Sequence, residues 1–269
     1  MALSFNLSAL PPLRPWDFEG RFDERGAVRW AQDNWKKSFS FSVAYLILIF
    51  GVQHVMKERT GYKLRTPLVL WSFSLALFSA IGAHRCWKHV AFIASTEGFR
   101  RLVCDQTFYV HHTTKLWVYL FAMSKVVELG DTVFIVLRKK RLIFLHWYHH
   151  VTTLIYTWFA YNQSAPGTLL FAAMNFTVHT FMYSYYAMRA AGFRVPHYIA
   201  IAITFSQILQ MLVAVILNIL IFFWMEQEIF HICWSGVLFS VLMYLSYLVL
   251  FCNFFYKTYL TTATKSKGE

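Results

Sequence analysis

Imidazoles dominate the chemistry this sequence can offer. His146, His149 and His150 stand at i, i+3 and i+4, and His179 follows further along; in a helix the first three share one face. Upstream, Lys125, Glu128 and Asp131 are spaced i, i+3 and i+6, and downstream Thr204, Gln207 and Gln210 repeat that interval. Neutral imidazole is a nucleophile and a general base near neutral pH, and carboxylates commonly fix the orientation of such rings. The set therefore suits acyl transfer, with one histidine carrying the acyl group and another moving the proton. No serine elbow or cysteine stands among these residues as a rival nucleophile.

Two other chemistries compete for the same residues. HxxHH is one of the boxes of membrane di-iron desaturases and hydroxylases, but such centres need several histidine clusters and this chain has 11 histidines in all. His54, His84, His89, His111, His112, His197 and His231 fall in or near loops or on the opposite side, which leaves four; a single zinc is the remaining metal option. No metal or other cofactor is expected. A non-enzymatic seven-helix receptor or transporter has no use for four polar stripes at one level.

The elements that hold these residues are apolar. Hydrophobic residues make up 58% of the 269 and charged residues 14%, against about 25% charged in a soluble domain. A soluble globule could not cover that much apolar surface, so the chain is an all-α polytopic membrane protein. A bilayer core of about 30 Å takes about 20 apolar residues per helix, and the hydropathy pattern predicts spans near 39–56, 67–83, 116–137, 142–161, 168–188, 198–224 and 235–256. These form a single membrane-embedded domain. Residues 1–38 read as a tail without a cleavable signal and 257–269 as a second tail. The net charge of +12 lies mostly between apolar runs, which makes it an orientation signal and excludes nucleic acid as a partner.

Loops 57–65, 138–141 and 189–197 and the tail from Lys257 carry thirteen basic residues, whereas 162–167 and 225–234 carry none. The N-terminus is therefore expected in the lumen and the C-terminus in the cytosol. The segment 84–115 disturbs this pattern with Arg85, Lys88, Arg100, Arg101 and Lys115. Asn6-Leu7-Ser8 is a glycosylation sequon on the expected lumenal tail, while that at Asn175 lies inside a span and is expected to be inert. Cys104 and Cys233 fall on the lumenal side, where a disulfide could persist. Lys265 and Lys267, three and five from the carboxyl end, match a di-lysine address for the endoplasmic reticulum. Counted at 1.5 Å per residue, the stripes on the third to sixth spans all lie roughly 6 to 18 Å from the cytosolic end. They are expected to converge on one cavity, because buried ionisable groups in lipid face a protein interior or water. Arg138, Lys139, Lys140 and Arg141 stand at its mouth, suited to the phosphates of a carrier.

Lys125-x-x-Glu128-x-x-Asp131-Thr132, His146-x-x-His149-His150, His179-x-x-Met182-Tyr183-x-Tyr185-Tyr186 and Thr204-x-x-Gln207-x-x-Gln210 resemble, in order and spacing, the motifs of the very-long-chain fatty acid elongases. The resemblance covers essentially the whole chain. It implies a 3-ketoacyl-CoA synthase of the endoplasmic reticulum membrane that joins a long-chain acyl-CoA to malonyl-CoA with loss of carbon dioxide. It also implies seven spans, six of them as two inverted three-helix units around an acyl tunnel closed at the lumenal end. His149 corresponds to the acyl-accepting imidazole and His179 to its partner; His146, His150 and Gln210 are expected to handle protons and the developing enolate. Glu128 and Asp131 are expected to orient the box, and Lys125, Gln207, Tyr183 and Tyr186 to contact substrate. The run before the box and Trp147-Tyr148 within it look like the branch handling saturated and monounsaturated chains. The implied partners are the ketoacyl-CoA reductase, dehydratase and enoyl-CoA reductase of the cycle, and other elongase copies.

Overall fold

The computed structural model describes residues 14–107, 111–224 and 227–261, and of 227–233 the backbone alone. Asn6, Lys265 and Lys267 lie outside the described residues, as does the side chain of Cys233 and with it the Cys104 pairing. The described residues form helices joined by turns, with no strand among them. Short α1 (Asp17–Gly20) and α2 (Glu24–Asn34) precede α3 (Lys37–Val55), which ends in a 3₁₀ turn. Then come α4 (Arg65–Thr96), α5 (Phe99–Val103), α6 (Thr114–Val127), α7 (Gly130–Leu137), α8 (Phe144–Asn162) and α9 (Thr168–Ala191). The last two are α10 (His197–Trp224) and α11 (Gln227–Phe255), the latter followed by a π turn.

Among the described residues four stretches are long and apolar enough to cross a membrane: Lys37–Glu58, Arg65–Thr96, His197–Trp224 and Trp234–Leu260. α8 and α9 have the length, but carry histidine, tyrosine and threonine where those four carry aliphatics. Two elements differ from the hydropathy pattern. The stretch 67–83 is only the first part of α4, which runs on to Thr96. The stretch 116–137 is two helices, parted where the Leu129 N–H turns to the Val126 carbonyl (3.3 Å) and the Asp131 N–H to the Glu128 carbonyl (3.1 Å). These tight turns fall beside Gly130, a poor helix former, and a broken helix reads as continuous in hydropathy alone.

α4 and α9 pack along much of their length. Gly82 makes this close approach feasible, since a Cβ there would stand 2.7 Å from the Phe176 ring. α10 pairs with α11, and α8 is held by α3, α6 and α11. The box-bearing helix is thus fixed on several sides.

Four of the five basic residues named in 84–115 have partners. Arg85 pairs with the fully buried Glu19 and stacks over Trp16 at 4.3 Å. Lys115 meets Glu24 at 2.8 Å, Arg101 meets Glu97 at 3.3 Å and Arg100 donates to the Trp224 carbonyl at 2.9 Å. Glu19 also accepts from Trp117 Nε1 (2.6 Å) and the Trp16 N–H (2.7 Å). The segment α1–α2 is therefore tied into the helical body by a saturated buried ion pair. Removing one partner of such a pair leaves an uncompensated charge and costs about 3–5 kcal/mol. Glu19→Ala is accordingly expected to lower the thermal unfolding midpoint in detergent, and Glu19→Ala with Arg85→Met to recover part of that loss.

Candidate active site

The polar stripes meet around a cavity of about 650 Å³ between α7, α8, α9, α10 and the end of α11. His146, His149 and His150 enter it from the first two turns of α8, because i, i+3 and i+4 share a face. His179 from α9, Glu128 and Asp131 from the broken helix, and Gln207 and Gln210 from α10 complete the polar wall. A second, narrow slit of about 40 Å³ continues from it between α6, α8, α9, α10 and α11. Both hollows are lined by His149, Asn175, Gln210 and Met211. His149 is thus the one member of the box at the junction.

The hydrogen bonds around His179 fix its tautomer. Lys125 Nζ donates to Glu128 Oε1 at 2.7 Å and to Asn175 Oδ1 at 3.0 Å. An ammonium only donates, so the oxygen of Asn175 is committed and its amide N–H₂ is turned to His179 Nε2 at 3.3 Å. Nε2 then accepts, and the ring proton sits on Nδ1, which faces Glu128 Oε2 at 3.7 Å. Ser124 Oγ gives Glu128 a further hydrogen bond at 3.0 Å. Lys125, 3% exposed, stands behind the wall and acts through Glu128 and Asn175.

Among the described residues neither carboxylate makes a hydrogen bond to a histidine of the box. Asp131 accepts from Trp71 Nε1 and Tyr183 OH, both at 2.6 Å, and so ties α7 to α4 and α9. Glu128 addresses His179 on α9. The box is held instead through Thr132, whose hydroxyl meets His146 Nε2 at 2.9 Å and Tyr45 OH at 2.7 Å. One helical residue is 100° of rotation, which separates the face of Asp131 from that of Thr132.

His149 is placed by packing. Its ring lies 4.9 Å from that of Tyr247 and 6.2 Å from that of Phe251. Tyr247 OH is anchored on Thr152 (2.6 Å) and Thr153 (2.8 Å). Among the described residues no hydrogen bond occupies the His149 ring nitrogens, which leaves a lone pair available. His150 instead neighbours His146 at 4.5 Å and Tyr45 at 6.5 Å. Gln210, 7% exposed, keeps its Oε1 without a hydrogen-bond partner among the described residues.

The basic run divides. Arg138 and Lys140 line the cavity mouth with Arg189, whereas Lys139 donates to the Lys57 carbonyl at 3.0 Å and Arg141 does not line it. Tyr183 and Tyr186 both line the cavity, and Gln207 Nε2 meets Met182 Sδ at 3.3 Å. Asn175, Trp71, Tyr247 and Arg189 escaped the sequence reading. Asn175 had a signal, since it stands at i−4 from His179 on the same face. Outer partners of this kind are worth about 10 to 100-fold. Asn175→Ala is expected to lower turnover at this site by about that factor and to leave the unfolding midpoint nearly unchanged.

The sequence profile described as ELO: GNS1/SUR4 family matches residues 30–267. The chain is 50% identical to very long chain fatty acid elongase 6 of Gallus gallus over 262 residues, covering 97% of this chain and 98% of that one. It is likewise 50% identical to elongase 6 of Homo sapiens over 261 residues, with 97% and 98% covered. Very long chain fatty acid elongase 3 of Homo sapiens is 42% identical over 256 residues, 95% of this chain and 94% of that one.

Proposed function

The chain belongs to the ELO, GNS1/SUR4, family, and from that premise we propose that it is a condensing enzyme of very-long-chain fatty acid elongation. It joins a long-chain acyl-CoA, saturated or monounsaturated, with malonyl-CoA to give a 3-ketoacyl-CoA, CoA and carbon dioxide. The relatives are named elongases over nearly their full length. The observation that carries the mechanism is the position of His149, at the junction of the wide polar cavity and the narrow slit. A thioester placed there has its CoA on one side and its acyl tail on the other.

The reaction divides into two halves. In the first, a ring nitrogen of His149 attacks the thioester carbonyl, the C–S bond breaks, and CoA leaves with the proton that the imidazole gives up. In the second, malonyl-CoA loses carbon dioxide; the electrons of that C–C bond become the enolate, which attacks the acyl-imidazole carbonyl and expels imidazole, reprotonated from water. His179, with its tautomer fixed through Lys125, Asn175 and Glu128, faces the malonyl end. Gln210 lines both hollows beside His149, where its Nε2 amide donates to the oxyanion. His146 and His150 relay the proton, and Arg138, Lys140 and Arg189 receive the CoA phosphates. The residues present suit this chemistry without a cofactor.

The chain crosses the endoplasmic reticulum membrane seven times, with its N-terminus lumenal, its C-terminus cytosolic and the last six crossings as two inverted triplets. The positive loops and the family support this reading. It works with the reductases and dehydratase that process its product, and with other elongase copies. Purified protein given acyl-CoA and labelled malonyl-CoA should form labelled 3-ketoacyl-CoA; absence of that product with every acyl chain offered would overturn the proposal.

A further inference from the structure

We infer that an aromatic stack, Tyr161–Tyr119–Phe22, sets the longest acyl chain this enzyme accepts, and that the N-terminal segment is part of the gauge. The inference rests on the elongase reading and says what ends the slit. From His149 the slit follows α8 past Thr153 and Thr157 to Ala160 and Tyr161. Twelve residues of helix span about 18 Å. An all-staggered saturated chain advances about 1.25 Å per methylene, so roughly fourteen methylenes beyond the carbonyl reach Tyr161. At about 40 Å³ the slit is far smaller than fourteen methylenes, so an unbranched tail enters it only in single file and by parting the side chains that line it.

The far end is built to resist. Tyr161 is 2% exposed and its ring meets that of Tyr119 edge-on at 5.8 Å. Tyr119 in turn packs on Phe22 at 5.3 Å. Phe22 lies between α1 and α2, outside the slit, in the segment that Glu19 and Glu24 anchor on Arg85 and Lys115. Opposite Tyr161, Gly167 takes φ +71, and its turn brings Thr168 and Phe171 under the slit. A chain pushing on Tyr161 therefore pushes on Tyr119 and, through it, on a segment locked by buried charge.

The test is an acyl-CoA series from twelve to twenty-two carbons with labelled malonyl-CoA and purified full-length protein. In an apolar pocket one methylene is worth about 10-fold or more. Wild-type turnover should fall by about 100-fold or more for each added pair of carbons beyond sixteen. Tyr161→Ala should raise turnover with the next longer acceptor about 10-fold. Phe22→Ala, which removes nothing from the slit itself, should move the limit the same way. Thr157→Phe, which blocks the slit about 12 Å from His149, should move the optimum to shorter chains. Phe22→Ala and Thr157→Phe variants that condense with the wild-type length profile would overturn the inference, whatever Tyr161→Ala does. Wild-type protein inert toward every chain length would overturn the elongase reading instead.

Discussion

His149→Ala will lose condensation by at least about 10³-fold if the proposed mechanism holds, because it removes the group proposed to form the covalent intermediate, and the neighbouring imidazoles are otherwise engaged. His146 is engaged by Thr132 and His150 is turned toward Tyr45, while His179 is committed to Asn175 and Glu128. The loss should appear in both half-reactions: neither CoA release from acyl-CoA alone nor labelled ketoacyl-CoA. The fold should survive, since the His149 ring makes no hydrogen bond to another described residue. A purified, folded variant that condenses at more than about a tenth of the wild-type rate would contradict the covalent role.

His179→Ala should separate the half-reactions. Its ring is positioned from α6 and α9 and faces the wide cavity, where the proposed mechanism places malonyl-CoA; a general acid or base lost at such a place costs about 10² to 10⁴-fold. Condensation should fall by that amount while CoA release from acyl-CoA alone falls by no more than about tenfold. The two variants together give a pattern that a structural role for both histidines would not produce. Damage to packing would lower both half-reactions in proportion. Single-turnover measurements of released thiol and of labelled product read the two halves independently.

Much of this site is legible in the sequence because lipid makes polar residues costly. His149, His179, Glu128, Asp131 and Gln210 stand out against their apolar neighbours, and helical periodicity alone puts them on shared faces. What periodicity does not carry is which stripe faces which. Glu128 and Asp131 share spacing with Lys125, yet one reaches α9 and the other joins α4 to α9. The break beside Gly130 and the long extension of α4 arise from packing, which a hydropathy window does not register. Asn175 reads as a sequon inside a helix, although its carboxamide joins Lys125 to His179. Arg85 and Lys115 disturb the charge pattern because their partners, Glu19 and Glu24, are distant in sequence and meet them only in the folded chain.

The most direct test of the mechanism withholds malonyl-CoA. Purified protein incubated with acyl-CoA alone should release CoA to about one equivalent and stop. Peptide mass spectrometry of the quenched protein should then place the acyl group on His149, and added malonyl-CoA should discharge it as 3-ketoacyl-CoA. Release of CoA only after malonyl-CoA is added, or an acyl group on a residue other than His149, would contradict the account.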